Sequence, residues 1–448
     1  MGPLDVPMPI SSHDVETNGG SYYASNSETS VDKSHIHVDM NIDIRMQPTA
    51  TGATATPETP SPELPLLPRW RRMIRNFTPS WFAVTMGTGI VSILLYSLPY
   101  RCFFTTALSY CFFALNVVMF VVFTIISILR YMMYHDCWRA MVHHPVQSLF
   151  LGCFPMGLST IINMSTISLS ATWGAPLLFI VWILWWLNVV SSLATCLFVP
   201  WMVIYRHKPG LNTITAALIL PIVATVVCAA SGGLVALHLP DAGNAQLTII
   251  VSYILWGLGE YFCAIIICLY FHRLTMHSLP PRDFIVSVFL PIGALGNGGF
   301  GIINLGLASL KTFPKTGLLA ENIGGEGSSL VAGHVLYVIG ILIGLCCWGF
   351  GMVLLSFALI SIFTTKRFPF NMGWWGFTFP MGVLATCTGL LAQQLDSIFF
   401  RIMTLLLSVA VIILWFIVAI KTVLLARRDL VAESFPEYPL WKKEFQPE

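Results

Sequence analysis

Ten apolar stretches, almost free of charge, run through this sequence between short polar connections: 80–97, 104–129, 148–168, 176–205, 214–238, 247–271, 284–308, 329–362, 373–393 and 398–425. Most match or exceed the roughly 20 residues that an α-helix needs to cross a bilayer. Inside lipid the backbone must satisfy its own polar groups, which leaves only helices and closed barrels. Runs of this length read as transmembrane helices. Composition agrees: of 448 residues, 56% are apolar and 10% charged, against about a quarter charged in soluble domains. A soluble enzyme is excluded. The net charge of +2 offers no basic surface for nucleic acid.

The ends are made of other material. Residues 1–68 are rich in Ser, Thr, Pro, Asp and Asn without a helical period, too polar to offset the entropy of ordering. They read as a disordered cytosolic N-terminal tail, with no apolar region after Met1 to act as a signal peptide. Residues 69–428 make the transmembrane domain and 429–448 a cytosolic C-terminal tail. An even number of crossings puts both termini on one side, and the loop cations choose it. Arg69, Arg71, Arg72, Arg75, Arg130, Arg139, Arg206, Lys208, Arg273, Arg282, Lys366, Arg367, Lys421, Arg427 and Arg428 flank one side. The other side carries only Arg101, Lys311 and Lys315, with Arg401 just inside the last helix. Both termini are therefore expected in the cytosol.

A pattern repeats in the odd-numbered helices. It reads Thr85-Met86-Gly87 in the first, Pro155-Met156-Gly157 in the third and Pro221-Ile222-Val223 in the fifth. The seventh has Pro291-Ile292-Gly293 followed by Gly296-Asn297-Gly298-Gly299, and the ninth Pro380-Met381-Gly382. The even helices are bulkier, as in Trp182, Trp185 and Trp186. A Pro inside a helix removes a hydrogen bond and kinks it. Such irregularity must face protein or a water-filled cavity, and small residues let backbones approach. The reading is an all-α membrane protein of five helical hairpins, with odd helices kinked around a central pore and even helices outside.

The inner helices offer hydroxyls, amides and backbone rather than charge. Candidate pathway residues are Thr85, Gly87, Pro155, Gly157, Thr160, Asn163, Pro221, Pro291, Gly293, Asn297, Gly298, Thr378 and Pro380. No row of carboxylates lines them, which argues against a cation path. No Arg or Lys cluster lies among them, which argues against a tight multivalent-anion site. A weakly polar pore suits a small anion that must enter and leave easily.

These residues also carry a resemblance. Residues 270–299, YFHRLTMHSLPPRDFIVSVFLPIGALGNGG, closely resemble the loop and seventh helix of the fungal sulfite efflux pumps. FTPSWFAVTMGTGIVSILLYSLPY (77–100), FPMGLSTIIN (154–163) and GWWGFTFPMG (373–382) are similar to the same proteins. Those pumps belong to the tellurite-resistance/dicarboxylate transporter family, with plant slow anion channels and yeast malate carriers as relatives. The resemblance implies ten helices around a pore, a homotrimer with one pore per subunit, and export of sulfite or bisulfite across the plasma membrane, giving sulfite tolerance. It also implies a ninth-helix Phe that plugs the pore. The matching residue is Phe379, directly before Pro380, with Phe377 as the competitor. Asn297 departs from the Gln expected in many sulfite pumps and keeps the amide on a shorter arm. A malate or other dicarboxylate carrier and a gated chloride or nitrate channel are the alternatives.

Glu260 lies near the middle of the sixth helix. An acid at that depth is a functional hypothesis by default, and Glu260 is the candidate for proton coupling. Asp396 and Arg401 read as a helix-end pair. His143-His144 has no acidic or Cys partner nearby, so no metal site is expected. No cofactor is implied, and the eleven cysteines contain no C-x-x-C pair.

Overall fold

A computed structural model describes residues 68–207, 209–318, 328–365 and 367–431. The two tails expected from composition lie almost wholly outside them. The described residues are helical, with no strand among them. Ten spans are long and apolar enough to cross a membrane: Pro79–Ser97, Phe103–Met133, Ser148–Ser168, Gly174–His207, Ala216–His238, Ala242–His277, Arg282–Thr316, Ser329–Thr364, Met372–Gln394 and Ile398–Ala426. They are numbered 1 to 10 below. Short helices Arg69–Asn76 and His135–His143 lie between and before them.

Burial alternates along the chain. The odd spans are 61–94% buried and the even spans 17–33%. Sequence explains the contrast. Span 7 is small-residue rich, and a Cβ on its Gly296 would stand 2.7 Å from the backbone nitrogen of Leu384 in span 9. Small residues permit that approach. The even spans instead turn Phe, Ile, Leu and Val outward, such as Val118, Ile183, Ile254, Val338 and Ile413.

Each odd span opens with a 3₁₀ segment: Pro79–Trp81, Ser148–Gly152, Ala216–Ile219, Arg282–Phe289 and Met372–Phe377. The α-helix proper then begins at Phe82, Cys153, Leu220, Leu290 and Thr378. Pro155, Pro221, Pro291 and Pro380 therefore fall in the first α-helical turn. A residue without an N–H is accommodated in a helix's first turn. This corrects the expected kink: these prolines mark the passage from 3₁₀ to α-helix instead of breaking a helix midway.

Span 1 packs on span 3, span 3 on span 5, span 5 on span 7, span 7 on span 9, and span 9 on span 1. A polar side chain on each even span also bonds the odd span next to it. Asn116 of span 2 donates to Thr160 Oγ1 of span 3 (3.0 Å). Trp185 Nε1 of span 4 donates to the Cys228 carbonyl of span 5 (3.0 Å) and Trp256 Nε1 of span 6 to the Gly298 carbonyl of span 7 (2.9 Å). Trp348 Nε1 of span 8 reaches Thr388 Oγ1 of span 9 (2.9 Å), and Trp415 Nε1 of span 10 reaches Thr88 Oγ1 of span 1 (3.1 Å). Lipid would leave these indole N–H groups unsatisfied. Measured bonds of this kind are worth about 0.6 kcal/mol each.

Candidate functional site

Two cavities lie among the odd spans. The first, near the end where the odd spans begin, has a volume of about 750 Å³. It is lined by the opening turns of all five: Trp81 and Met86, Phe150 and Met156, Ala217 and Val223, Val286 and Gly293, Gly373 and Pro380. The second, toward the end where the odd spans finish, measures about 890 Å³. Ile90 and Leu94, Thr160 and Asn163, Val227 and Leu234, Asn297 and Asn304, and Val383 and Thr386 line it. Below, these are the near and far cavities.

Among the described residues, Phe379 alone lines both cavities. It is 4% exposed. Residues two apart on a helix point about 200° apart, so Phe377 faces elsewhere. It packs edge-on to Phe289 (centroids 4.9 Å) and Trp374 (5.6 Å) and lines neither cavity. The backbone positions Phe379 firmly. It is the second residue of the α-helix Thr378–Gln394, after the 3₁₀ turn, and the Asn371 side chain caps that turn through Gly373 N (2.9 Å). Thr378 is fully buried and donates to the Trp375 carbonyl (2.9 Å). Trp375 is in turn tied to Thr422 of span 10 (3.1 Å).

The other sequence candidates divide. Thr160, Asn163 and Asn297 line the far cavity, and Gly293 and Pro380 the near one. Thr85, Gly87, Pro155, Gly157, Pro221, Pro291, Gly298 and Thr378 are buried and line neither. Several sit at span-to-span contacts. A Cβ on Gly87 would lie 2.5 Å from Thr378 Oγ1, and one on Gly157 2.5 Å from Thr85 Oγ1. Glu260 also lines neither cavity. Its carboxyl occupies the space left by Gly298, where a Cβ would meet Oε1 at 1.9 Å, and Oε1 has no partner among the described residues.

Sequence reasoning missed Asn304, Thr386, Gln393 and Gln394, all on the far cavity, which His238 also lines. Asn304 had a signal: it follows Asn297 by two helical turns and shares its face. Charge is unequal between the cavities. Arg101, Arg401 and His238 line the far one, while the near one has Asp283 and His144. Arg401 pairs with Asp396, and Arg101 lies over the Tyr96 ring (5.1 Å). Among the described residues no cluster of three His, Cys, Asp or Glu could hold a metal ion. The arrangement is two weakly polar cavities that share one aromatic side chain, Phe379, in their linings.

The sequence pattern of the voltage-dependent anion channel family matches residues 76–423. A sulfite efflux pump of Arthroderma benhamiae is 44% identical over 350 residues, spanning 78% of this chain and 91% of that protein. One of Candida albicans is 31% identical over 332 residues, 70% of this chain and 66% of that protein. The malic acid transport protein of Schizosaccharomyces pombe is 26% identical over 357 residues, 79% of this chain and 78% of that protein.

Proposed function

The chain belongs to the voltage-dependent anion channel family, and on that premise we propose that it carries sulfite or bisulfite out across the plasma membrane through a channel-like path gated by Phe379. The observation that carries this reading is the position of Phe379 on both cavities. Hydrophobic constrictions of this kind gate pores. The burial contrast between odd and even spans and the cycle of odd-span contacts support an inner ring around that path, with even spans toward lipid. The loop cations orient it with both termini and the near cavity in the cytosol. Each subunit of a homotrimer holds its own path.

Export needs no second ion. An inside-negative potential favours anion exit by about 2.3 kcal/mol per charge per 100 mV. The far cavity's Arg101 and Arg401 lie on the exit side, where they draw the anion outward. Sulfite is the substrate favoured because the pump of 44% identity aligns over 91% of its length. One observation favours malate: Arg101 and Arg401 both line the far cavity and could take two carboxylates. Arg401 is already paired with Asp396, which weakens that reading.

The deciding experiment uses purified protein in liposomes under an imposed voltage, with and without a pH gradient. Sulfite, malate, nitrate and chloride fluxes are compared. Sulfite flux that follows voltage alone is expected. Malate flux that requires the pH gradient would move the protein to a proton-coupled carrier.

Glu260 stands outside both cavities, so this mechanism gives it no proton to carry. Glu260→Gln keeps the shape against Gly298 and is expected to leave sulfite flux within about twofold, a barrier change under about 0.5 kcal/mol, with the same pH profile. A flattened pH profile in that variant would restore Glu260 as a coupling residue.

A further inference from the structure

We propose that the protein binds the phosphate of an anionic phospholipid at the membrane surface, on Arg130 and the short helix Arg69–Asn76. Arg130 closes the last turn of span 2 and is 2% exposed. Its Nε and Nη1 are buried without an acceptor among the described residues, and it has no ion pair there. Its guanidinium lies over the Tyr131 ring, 5.4 Å from the centroid, which offsets part of the cost of burying a charge. The remainder calls for an anion, because a buried charge left unpaired is strongly destabilising.

The neighbouring elements do not supply one. Arg130 follows Phe123 by two helical turns and shares its face. Phe123 packs on Phe77 (ring centroids 5.4 Å), the residue that ends helix Arg69–Asn76. Arg130 therefore lies on the side of span 2 that carries this helix, whose sequence RWRRMIRN holds four arginines and no acid. The Tyr131 ring also meets Trp138 of helix His135–His143 edge-on (5.1 Å), and the acid of that helix, Asp136, is exposed.

The place decides the kind of anion. Trp70, Met73, Ile74 and Phe77 form one apolar stripe at helical spacing. The protein covers one end of it, where Ile74 is half-buried and Phe77 buried, and leaves Trp70 and Met73 more than half exposed. Met132 and Trp138 are exposed as well. A helix of eight residues does not hold in water by itself. Exposed tryptophan beside arginine at the end of a span is the composition that sits in the headgroup layer, where arginine makes charge-assisted bonds to phosphate. A free phosphate would answer the charge and leave the stripe bare, whereas a phospholipid covers both. On the orientation proposed above this is the cytosolic leaflet, the one that carries anionic lipid.

The test reads thermal unfolding of purified full-length protein in nanodiscs of phosphatidylcholine, with and without phosphatidylserine. Both leaflets carry the same lipids, so neither the orientation nor the transported anion enters, and voltage-driven sulfite flux in phosphatidylcholine liposomes tests the export reading separately. Wild type is expected to unfold about 2 °C or more higher in the anionic lipid. Arg130→Met is expected to lose most of that gain, and in neutral lipid to match or exceed wild type, since it removes a charge that has no partner there. Equal wild-type midpoints in the two lipids overturn the proposal. So does a gain kept by Arg130→Met, or an Arg130→Met protein less stable than wild type by the same amount in both lipids, which is the mark of an arginine held for packing. Inorganic phosphate added to wild type in phosphatidylcholine is expected to give no gain, and the full gain there would overturn the lipid in favour of a soluble anion. If Arg130→Met does not fold, Trp70→Ala with Met73→Ala, at exposed positions, is read in its place. It is expected to lose about half of the gain or more, and keeping all of it overturns the proposal.

Discussion

Phe379→Ala is expected to raise sulfite flux at fixed voltage by about tenfold or more, which corresponds to lowering the barrier by about 1.4 kcal/mol or more. The ring is the one described side chain shared by the two cavities. Truncation to a methyl group removes the ring that borders a cavity of about 750 Å³ on one side and one of about 890 Å³ on the other. Its neighbours do not share this position: Pro380 lines only the near cavity and Thr378, packed against Gly87, lines neither. Phe377→Ala is the matched control. It removes a ring wedged between Phe289 and Trp374 and is expected to cost about 3 kcal/mol of stability without a tenfold gain in flux. Single-channel or liposome flux on both variants, each checked by thermal unfolding in detergent, separates gate from packing. Equal flux in wild type and a folded Phe379→Ala protein would remove Phe379 from the gate.

The second large effect concerns the contact between spans 7 and 9. Gly296→Ala would put a Cβ 2.7 Å from Leu384 N, 2.9 Å from Val383 C and 3.0 Å from Leu384 Cα. All three are backbone atoms, so no rotamer change relieves the overlap. Span 9 as a whole must move, and it carries both Phe379 and Val383. Overpacking of this kind costs about 1–3 kcal/mol, partly offset by the roughly 1 kcal/mol that Ala gains over Gly in a helix. A lower unfolding midpoint and altered gating are expected together. Gly293→Ala, one turn earlier, meets only ordinary contacts of 3.4–3.5 Å with Pro380. It is expected to unfold close to wild type. Equal midpoints for the two variants would mean that spans 7 and 9 are not held at the distance described.

The spans were legible because lipid forbids charge, and a run without charge is plain to read. The burial contrast was legible for a related reason: residues that let backbones meet are small, and they cluster in the odd spans. The individual path residues were harder to read. A Gly or Thr is equally what a close helix contact demands, and Gly87, Gly157 and Thr378 proved to serve contacts of that kind. Which face a residue takes depends on the rotation of its helix, about 100° per residue, and tertiary packing sets that rotation. The five 3₁₀ openings shift it further, and nothing local in the sequence announces them. Asn304, Gln393 and Gln394 escaped notice because they stand outside the repeated Pro-Gly pattern. Glu260 was conspicuous by its charge, yet its partner surface is a glycine, which offers no sequence signal for an acid.

The order in which the interspan bonds are met bears on how the protein is made. During synthesis an even span is already in the membrane, its indole or amide N–H still unpaired, when the odd span that will accept from it arrives. Asn116 waits 44 residues for Thr160, Trp185 waits 43 for Cys228, Trp256 waits 42 for Gly298 and Trp348 waits 40 for Thr388. Four bonds can thus form in sequence, each a local event soon after its partners emerge. The fifth cannot. Thr88 is among the first residues to enter the bilayer, and its donor Trp415 lies 327 residues downstream. Until span 10 is inserted, span 1 lacks that bond, and contacts so distant in the chain are the slow ones to form. A nascent chain stalled or truncated before Trp415 would hold four closed joints and one open seam.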